Sequence, residues 1–300
     1  MRTPLLIATV LLLCLSAVSP ALVQAGDNGA PALKKVHVGE IDIAWKELGA
    51  GDPLVMIMGY GGSMDLWSPR LLQLLSASYH LFLFDNRGMG GSTSSETEYS
   101  IPLFAQDTLG FMDALGIDRA TILGWSMGAE TALELAISHP QRVSKLILIS
   151  GAPGGREQIA PSPDVMRQLA DSSGGSLMRG LRVIRLLFPQ DWLSTHPFWT
   201  YFPIHASMNP LEHTSRQLRA IMDWAGSCSR LDQIESPTLI ITGDADVVFP
   251  TQNSTLLADG IHGSRLVRIP DGGHGVMFQY PDRIADEIAV FLRDTGDGER

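Results

Sequence analysis

Gly124-Trp125-Ser126-Met127-Gly128 stands between a short apolar run, 121–123, and a helical stretch that starts at Met127. A serine with glycine two residues away on each side suits a sharp strand-to-helix turn. The glycines let the backbone crowd, and the turn thrusts Ser126 Oγ into the open. The helix N-terminus behind the hydroxyl favours negative charge developing there. The pattern points to a nucleophile; its plain alternative is a serine in an ordinary turn, and the rest of the chain decides between them.

Outward from this turn the chain alternates. Residues 54–58, 80–84, 121–123, 145–149, 238–241 and 265–269 are short apolar runs, most without polar alternation, as strands buried on both faces are. Residues 35–38 and 40–48 do alternate, with Ile41, Ile43 and Trp45 on one face, and predict an antiparallel pair. Helical stretches fall at 104–115, 127–138, 251–258 and 282–292, the last with a stripe of Ile284, Ile288 and Phe291. Strand and helix in turn predict an α/β fold with a doubly wound, mostly parallel sheet. Residues 153–230 break the rhythm: helical segments near 164–170, 178–188 and 211–224, with prolines between them, predict a helical cap inserted between two sheet strands over their carboxyl edge.

The N-terminus reads differently. Arg2 precedes an apolar run, 5–18, broken only by Thr9 and Ser16, and Val23-Gln24-Ala25 offers the residues signal peptidase reads. The expectation is a secretory signal at 1–25 and an exported domain at 26–300, periplasmic or secreted, with no stable membrane insertion after cleavage. The run falls short of the about 20 residues of a membrane anchor, and Leu13 before Cys14 is not the small residue a lipoprotein signal needs. A net charge of −10 without a Lys/Arg-rich block gives no footing for nucleic acid. Two cysteines, Cys14 and Cys228, make no disulfide framework, and no Cys/His spacing suits a metal.

A nucleophilic serine needs a base and the base an orienting acid. Of eight histidines, His274 lies in the glycine-rich loop Asp271-Gly272-Gly273-His274-Gly275, after the last strand and before the final helix. His139 suits a helix C-cap, His37, His80 and His262 sit in strands or loops, and His196, His205 and His213 fall in the cap, where they could at most touch substrate. Gly243-Asp244-Ala245-Asp246 follows the run 238–241; Asp246 is the expected acid and Asp244 the residue expected to fix the turn. Met58-Gly59-Tyr60-Gly61-Gly62 can aim a main-chain amide at the nucleophile, so the amides of Tyr60 and Met127 are the expected oxyanion donors.

Together with Asp85-Asn86-Arg87-Gly88-Met89-Gly90-Gly91-Ser92, these motifs resemble the α/β-hydrolase fold superfamily, in particular its esterases, enol-lactonases and cofactor-free haloperoxidases. The resemblance runs from about Lys34 to Leu292, weakly through the cap. It implies the triad order Ser126, Asp246, His274, with Asp85 and Arg87 as scaffold. It departs at Met58, where the family commonly has histidine before the oxyanion-loop glycine. Ser126 excludes the aspartate-nucleophile branches, the epoxide hydrolases and haloalkane dehalogenases. No cofactor is expected: Gly59-x-Gly61 lacks the third glycine of a dinucleotide loop and no phosphate-binding G-x-x-x-x-G-K-[ST] occurs.

A serine nucleophile favours acyl carbons, so the expected substrate is a small-molecule ester or lactone. Trp125, Met64, Trp67 and Trp199, the last within Phe198-Trp199-Thr200-Tyr201-Phe202 and close to Trp192, are candidates to line an apolar pocket, unless they pack the cap's own core. The same residues allow two other readings: a cofactor-free haloperoxidase or perhydrolase, in which peroxide takes the acyl group, and a hydrolase-derived ligand-binding protein with little turnover.

Overall fold

The computed structural model describes residues 31–171, 173–203 and 209–294, and the main compact unit begins at Leu33. The expected signal segment, 1–25, lies outside the described residues, as does His205.

Eight strands form one sheet in the order β1-β2-β4-β3-β5-β6-β7-β8. They are β1 (Lys34–Val38), β2 (Ile41–Leu48), β3 (Asp52–Ile57), β4 (Tyr79–Phe84), β5 (Ala120–Trp125), β6 (Val143–Ile149), β7 (Thr238–Gly243) and β8 (Arg265–Ile269). β1 and β2 pair antiparallel, β2 runs antiparallel to β4, and every later pairing is parallel. This is the open, mostly parallel sheet of an α/β-hydrolase fold.

The unalternating runs have the expected cause. Along β3, Leu54, Met56 and Met58 join one apolar layer while Val55 and Ile57 join the layer on the opposite face, and β6 splits its residues in the same way. α1 (Pro69–Leu75) and α10 (Pro281–Arg293) cover the first face; α2 (Ile101–Ala114), α3 (Met127–Ser138) and α8 (Gln252–Gly260) cover the second. α2 begins three residues before the expected start, because Ser100 Oγ accepts the Leu103 N–H and Pro102 occupies the first turn.

Between β6 and β7 lie α4 (Pro163–Ala170), α5 (Ser176–Leu187), α6 (Gln190–Thr195) and α7 (Leu211–Asp223); α9 (Val276–Gln279) follows β8. The inserted helices are tied to loops at the carboxyl ends of the strands. The Leu187 carbonyl at the end of α5 accepts from Gly275 N at 2.8 Å, and α7 reaches the loop after β3 through Gln217. At its base, Glu134 of α3 accepts from Trp224 Nε1 and from both terminal nitrogens of Arg230. Among the described residues no helix is long and apolar enough to cross a membrane.

Candidate active site

β5 ends at Trp125 and α3 begins at Met127, so Ser126 alone makes the turn, with φ 57° and ψ −124°. A left-handed φ on a non-glycine residue is strained by about 1–3 kcal/mol and persists only where the surroundings hold it. Here Ser126 N donates to Ile149 O at 3.0 Å and Ser126 O accepts from Ala129 N at 2.8 Å. The flanking glycines are sterically required: a Cβ on Gly128 would lie 2.0 Å from Ile57 O, and one on Gly124 2.2 Å from Gly128 O.

Three side chains from three separate loops meet at this turn. His274 Nε2 lies 2.9 Å from Ser126 Oγ, and His274 Nδ1 lies 2.8 Å from Asp246 Oδ2. All three are buried, at 8% exposure for Ser126, 6% for Asp246 and 4% for His274. A carboxylate facing Nδ1 keeps the proton on that nitrogen and leaves Nε2 to accept from the serine hydroxyl. Asp246 Oδ1 meanwhile accepts from Val248 N at 2.9 Å and Phe249 N at 2.8 Å. Asp244, expected to fix the turn directly after β7, instead pairs its carboxylate with Arg268 Nε at 2.7 Å, and it is Asp246 that holds the turn that follows. An Asx-type turn needs its acceptor at the start of the turn, and Asp246 occupies that place.

The histidine loop is braced on several sides. Gly273 N donates to Gln279 Oε1, Ala245 N to Gly272 O, and Trp125 Nε1 to His274 O at 3.0 Å. Phe249 meets the His274 ring edge to face at 5.5 Å.

The loop after β3 approaches the serine closely: a Cβ on Gly59 would sit 3.0 Å from Ser126 Cβ, tighter than an ordinary contact. Where the family's histidine is replaced by Met58, support comes from Asn86, whose Nδ2 donates to Met58 O at 2.9 Å. Within the loop the Gly61 and Gly62 amides are taken by Gln217 Oε1 and Gly59 O; among the described residues the Tyr60 amide is not so engaged. Met127 opens α3, where N–H groups have no intrahelical acceptor. Asp85 secures the same region from below, accepting Met64 N and Gly91 N, and burial pushes its carboxyl up. Arg87 makes a buried two-pronged pair with Asp107, both contacts at 2.7 Å.

The four residues expected to line a pocket do not form one lining. Met64, Trp67 and Trp125 are at most 5% exposed and belong to the main apolar layer beside Leu71 and Phe278, because the turn after the β3 loop folds inward to cover α1. Trp125 spends its indole N–H on the His274 loop and is a brace. Trp199 is 62% exposed and faces a shallow groove with Leu181, Leu193 and Phe198. Other aromatics between β6 and β7 pack inward: Phe188 stacks on Trp192 at 5.0 Å, and Phe202 meets Phe278 of α9 at 5.0 Å. His196 stacks on Trp192 and His213 Nδ1 meets the Tyr99 hydroxyl. His139 caps α3.

Two features escape a reading by motif. Glu130, one turn into α3, is wholly buried without a partner among the described residues, and burial pushes its carboxyl up to about 8. Gln217 holds Gly61; its signal is a polar residue at the centre of the stripe Thr214, Gln217, Ala220, Ile221, Trp224. Among the described residues no three His, Cys, Asp or Glu side chains are grouped to hold a metal ion.

An open parallel sheet, a strained serine at a strand-to-helix turn and a histidine–carboxylate pair on two later loops define a class of enzyme. The chain belongs to the α/β-hydrolase fold family, whose sequence profile it matches over residues 52–281, and it is a hydrolase of that family. It is 28% identical over 275 residues to a protein of Mycobacterium tuberculosis named non-heme bromoperoxidase BpoC, covering 84% of this chain and 98% of that one. It is 25% identical over 270 residues to one of Azorhizobium caulinodans named carbamate hydrolase RutD, covering 85% of this chain and 96% of that one. An α/β-hydrolase fold protein from Chitinophaga pinensis superposes with a TM-score of 0.77 at 25% identity, covering 89% of this chain and 99% of that one.

Proposed function

We propose that the chain is an exported serine hydrolase that cleaves carboxylic esters of small to medium apolar substrates through an acyl-enzyme. The observation that carries this reading is the unbroken hydrogen-bonded series from Ser126 Oγ through His274 to Asp246 on a strained turn. Ser126 Oγ attacks the acyl carbon while His274 Nε2 takes its proton, and Asp246 stabilises the imidazolium. The Tyr60 and Met127 amides receive the charge that develops on the carbonyl oxygen; one such donor is typically worth about 10²- to 10³-fold in rate. His274 returns the proton to the leaving alcohol, then takes one from the water that releases the acid.

Residues 1–25 direct export and the helices of 153–230 form the cap. Export removes acyl-CoA and other cytosolic metabolites from the substrate class. The test is hydrolysis of p-nitrophenyl esters, acetate to decanoate, by the mature protein beside Ser126→Ala. Serine-dependent turnover that peaks at medium acyl chains is expected; equal inactivity of the two proteins overturns the reading, and a steady decline from acetate overturns the apolar pocket.

The likeness to a protein named bromoperoxidase favours one second reading, in which peroxide takes the acyl group from the same serine and the resulting peracid oxidises bromide. Acetate- and peroxide-dependent bromination that disappears in Ser126→Ala supports it, and no bromination in acetate and peroxide refutes it.

A further inference from the structure

Gly61, two residues beyond Gly59, is held at both its amide and its carbonyl from the segment between β6 and β7, by α7 and by the residue two positions before it. Its N–H donates to Gln217 Oε1 at 2.8 Å, and its carbonyl accepts from Asn209 Nδ2 at 2.8 Å. Asn209 Oδ1 also accepts from Gly90 N at 2.8 Å, which ties the loop after β3 to the loop after β4. Beside them the Tyr60 ring packs in one cluster with Met127 and Ala220.

Gln217 is a costly residue for this place. It is wholly buried on the inner face of α7, and its Nε2 has no partner among the described residues. A buried amide nitrogen without an acceptor destabilises, and an unbranched apolar side chain would fill the space without that loss. Among the described residues, the one hydrogen bond its side chain makes is to Gly61. The peptide group that carries Gly61 N–H is joined to the one that carries Tyr60 N–H through a single α-carbon, so only the two backbone torsions of Tyr60 separate them. One of those peptide groups is fixed by Gln217, and the side chain on the shared carbon packs in the cluster with Met127 and Ala220.

We propose that Gln217 is a positioning residue of the oxyanion hole: acting with Asn209 on Gly61, it sets the direction of the Tyr60 amide, so that docking of α7 and assembly of the hole are one event. The proposal rests on the acyl-transfer reading of the site.

The test compares wild type, Gln217→Met, Asn209→Ala and the double variant. For each, hydrolysis of the preferred p-nitrophenyl ester is measured per active site. Inhibition is measured with the trifluoromethyl ketone of the same acyl chain. In that adduct Ser126 Oγ adds to the ketone carbon, its proton passes to His274, and the ketone oxygen takes the negative charge in the hole. Gln217→Met is expected to lower kcat about 10- to 100-fold with KM changed less than about threefold, and to raise the ketone's inhibition constant by the factor that kcat/KM falls. Asn209→Ala moves both in the same direction, and the double variant loses less than the product of the two, since both act on one loop. A merely structural role lowers the melting temperature and leaves the ketone's inhibition constant where it was. Should Gln217→Met fail to fold, Asn209→Ala, a change at a half-buried position, reads the same quantity. Wild-type kcat and ketone affinity in the folded variants overturn the proposal alone. A wild-type enzyme that neither turns over ester nor binds ketone overturns the acyl-transfer reading and the proposal with it.

Discussion

Trp125 Nε1 donates to the carbonyl oxygen of His274 across 3.0 Å, so the residue that precedes the serine in sequence holds the loop that delivers its partner histidine. The two lie 149 positions apart. Their rings are tilted at 38° with centroids 5.7 Å apart, which makes the contact a brace for the backbone more than a stacked pair. The serine turn and the histidine loop therefore share a fixed strut, independent of the hydrogen bond between Ser126 and His274.

Trp125→Phe keeps a ring in the core and removes only the strut. The His274 carbonyl then loses a buried partner, at about 1–3 kcal/mol. For a domain of this size the melting temperature should fall by about 2–10 °C. The loosened histidine should lower kcat about tenfold while KM stays within about twofold. Steady-state kinetics and a thermal scan on the same preparation check both parts.

Asp246 combines two tasks that substitution can separate. One oxygen faces His274 and the other receives the Val248 and Phe249 amides. Asp246→Asn keeps an acceptor for the turn but presents an amide to His274 Nδ1, which inverts the tautomer. The expected outcome is a native melting temperature with kcat lowered about 10³- to 10⁴-fold. Asp246→Ala should lose a similar factor in rate and also unfold at a lower temperature, because the turn loses its acceptor.

Strand positions and the serine turn were readable because their causes are local: apolar runs bounded by turn residues, and a glycine spacing with one steric purpose. The serine, histidine and aspartate could be singled out because each ends a strand or sits in a glycine-rich loop. What could not be read is how side chains divide between sheet layers and the space above the sheet. Met64 and Trp67 follow the β3 loop in sequence, yet the chain turns inward there and buries them against α1. Gln217 and Asn209 were hidden for a related reason: their partner is a backbone group some 150 residues away, and no spacing rule encodes such a pairing.

Arg87 and Asp107 form a buried ion pair at 2.7 Å, with side-chain exposures of 4% and 9%. Burial pushes the Asp107 carboxyl up against the pull of the guanidinium, so desolvation outweighs attraction there. Removing one partner leaves the other charge buried and alone, at about 3–5 kcal/mol. Arg87→Ala should therefore lower the melting temperature by about 6–20 °C. Replacing both residues by apolar side chains of similar volume should recover most of that loss, which denaturant unfolding of the single and double variants measures.

Glu130 gives the stability of the enzyme a pH dependence with a definite sign. Its carboxyl has an ordinary value of 4.5 and burial raises it to about 8 in the folded chain. Between these values the unfolded chain releases a proton that the folded chain retains, so stability falls as pH rises. The loss begins near pH 4.5, grows up to about pH 8 and is constant above it. At 1.36 kcal/mol per pKa unit its size is several kcal/mol, on the order of 3–5. Glu130→Met fills a similar volume and removes both unpaired oxygens. Against wild type, its gain in melting temperature should be smallest at pH 4.5, larger by several degrees at pH 7, and larger still at pH 8.5. Melting curves across that range decide the matter: an advantage of constant size at every pH would mean that the Glu130 carboxyl does not titrate as its burial requires.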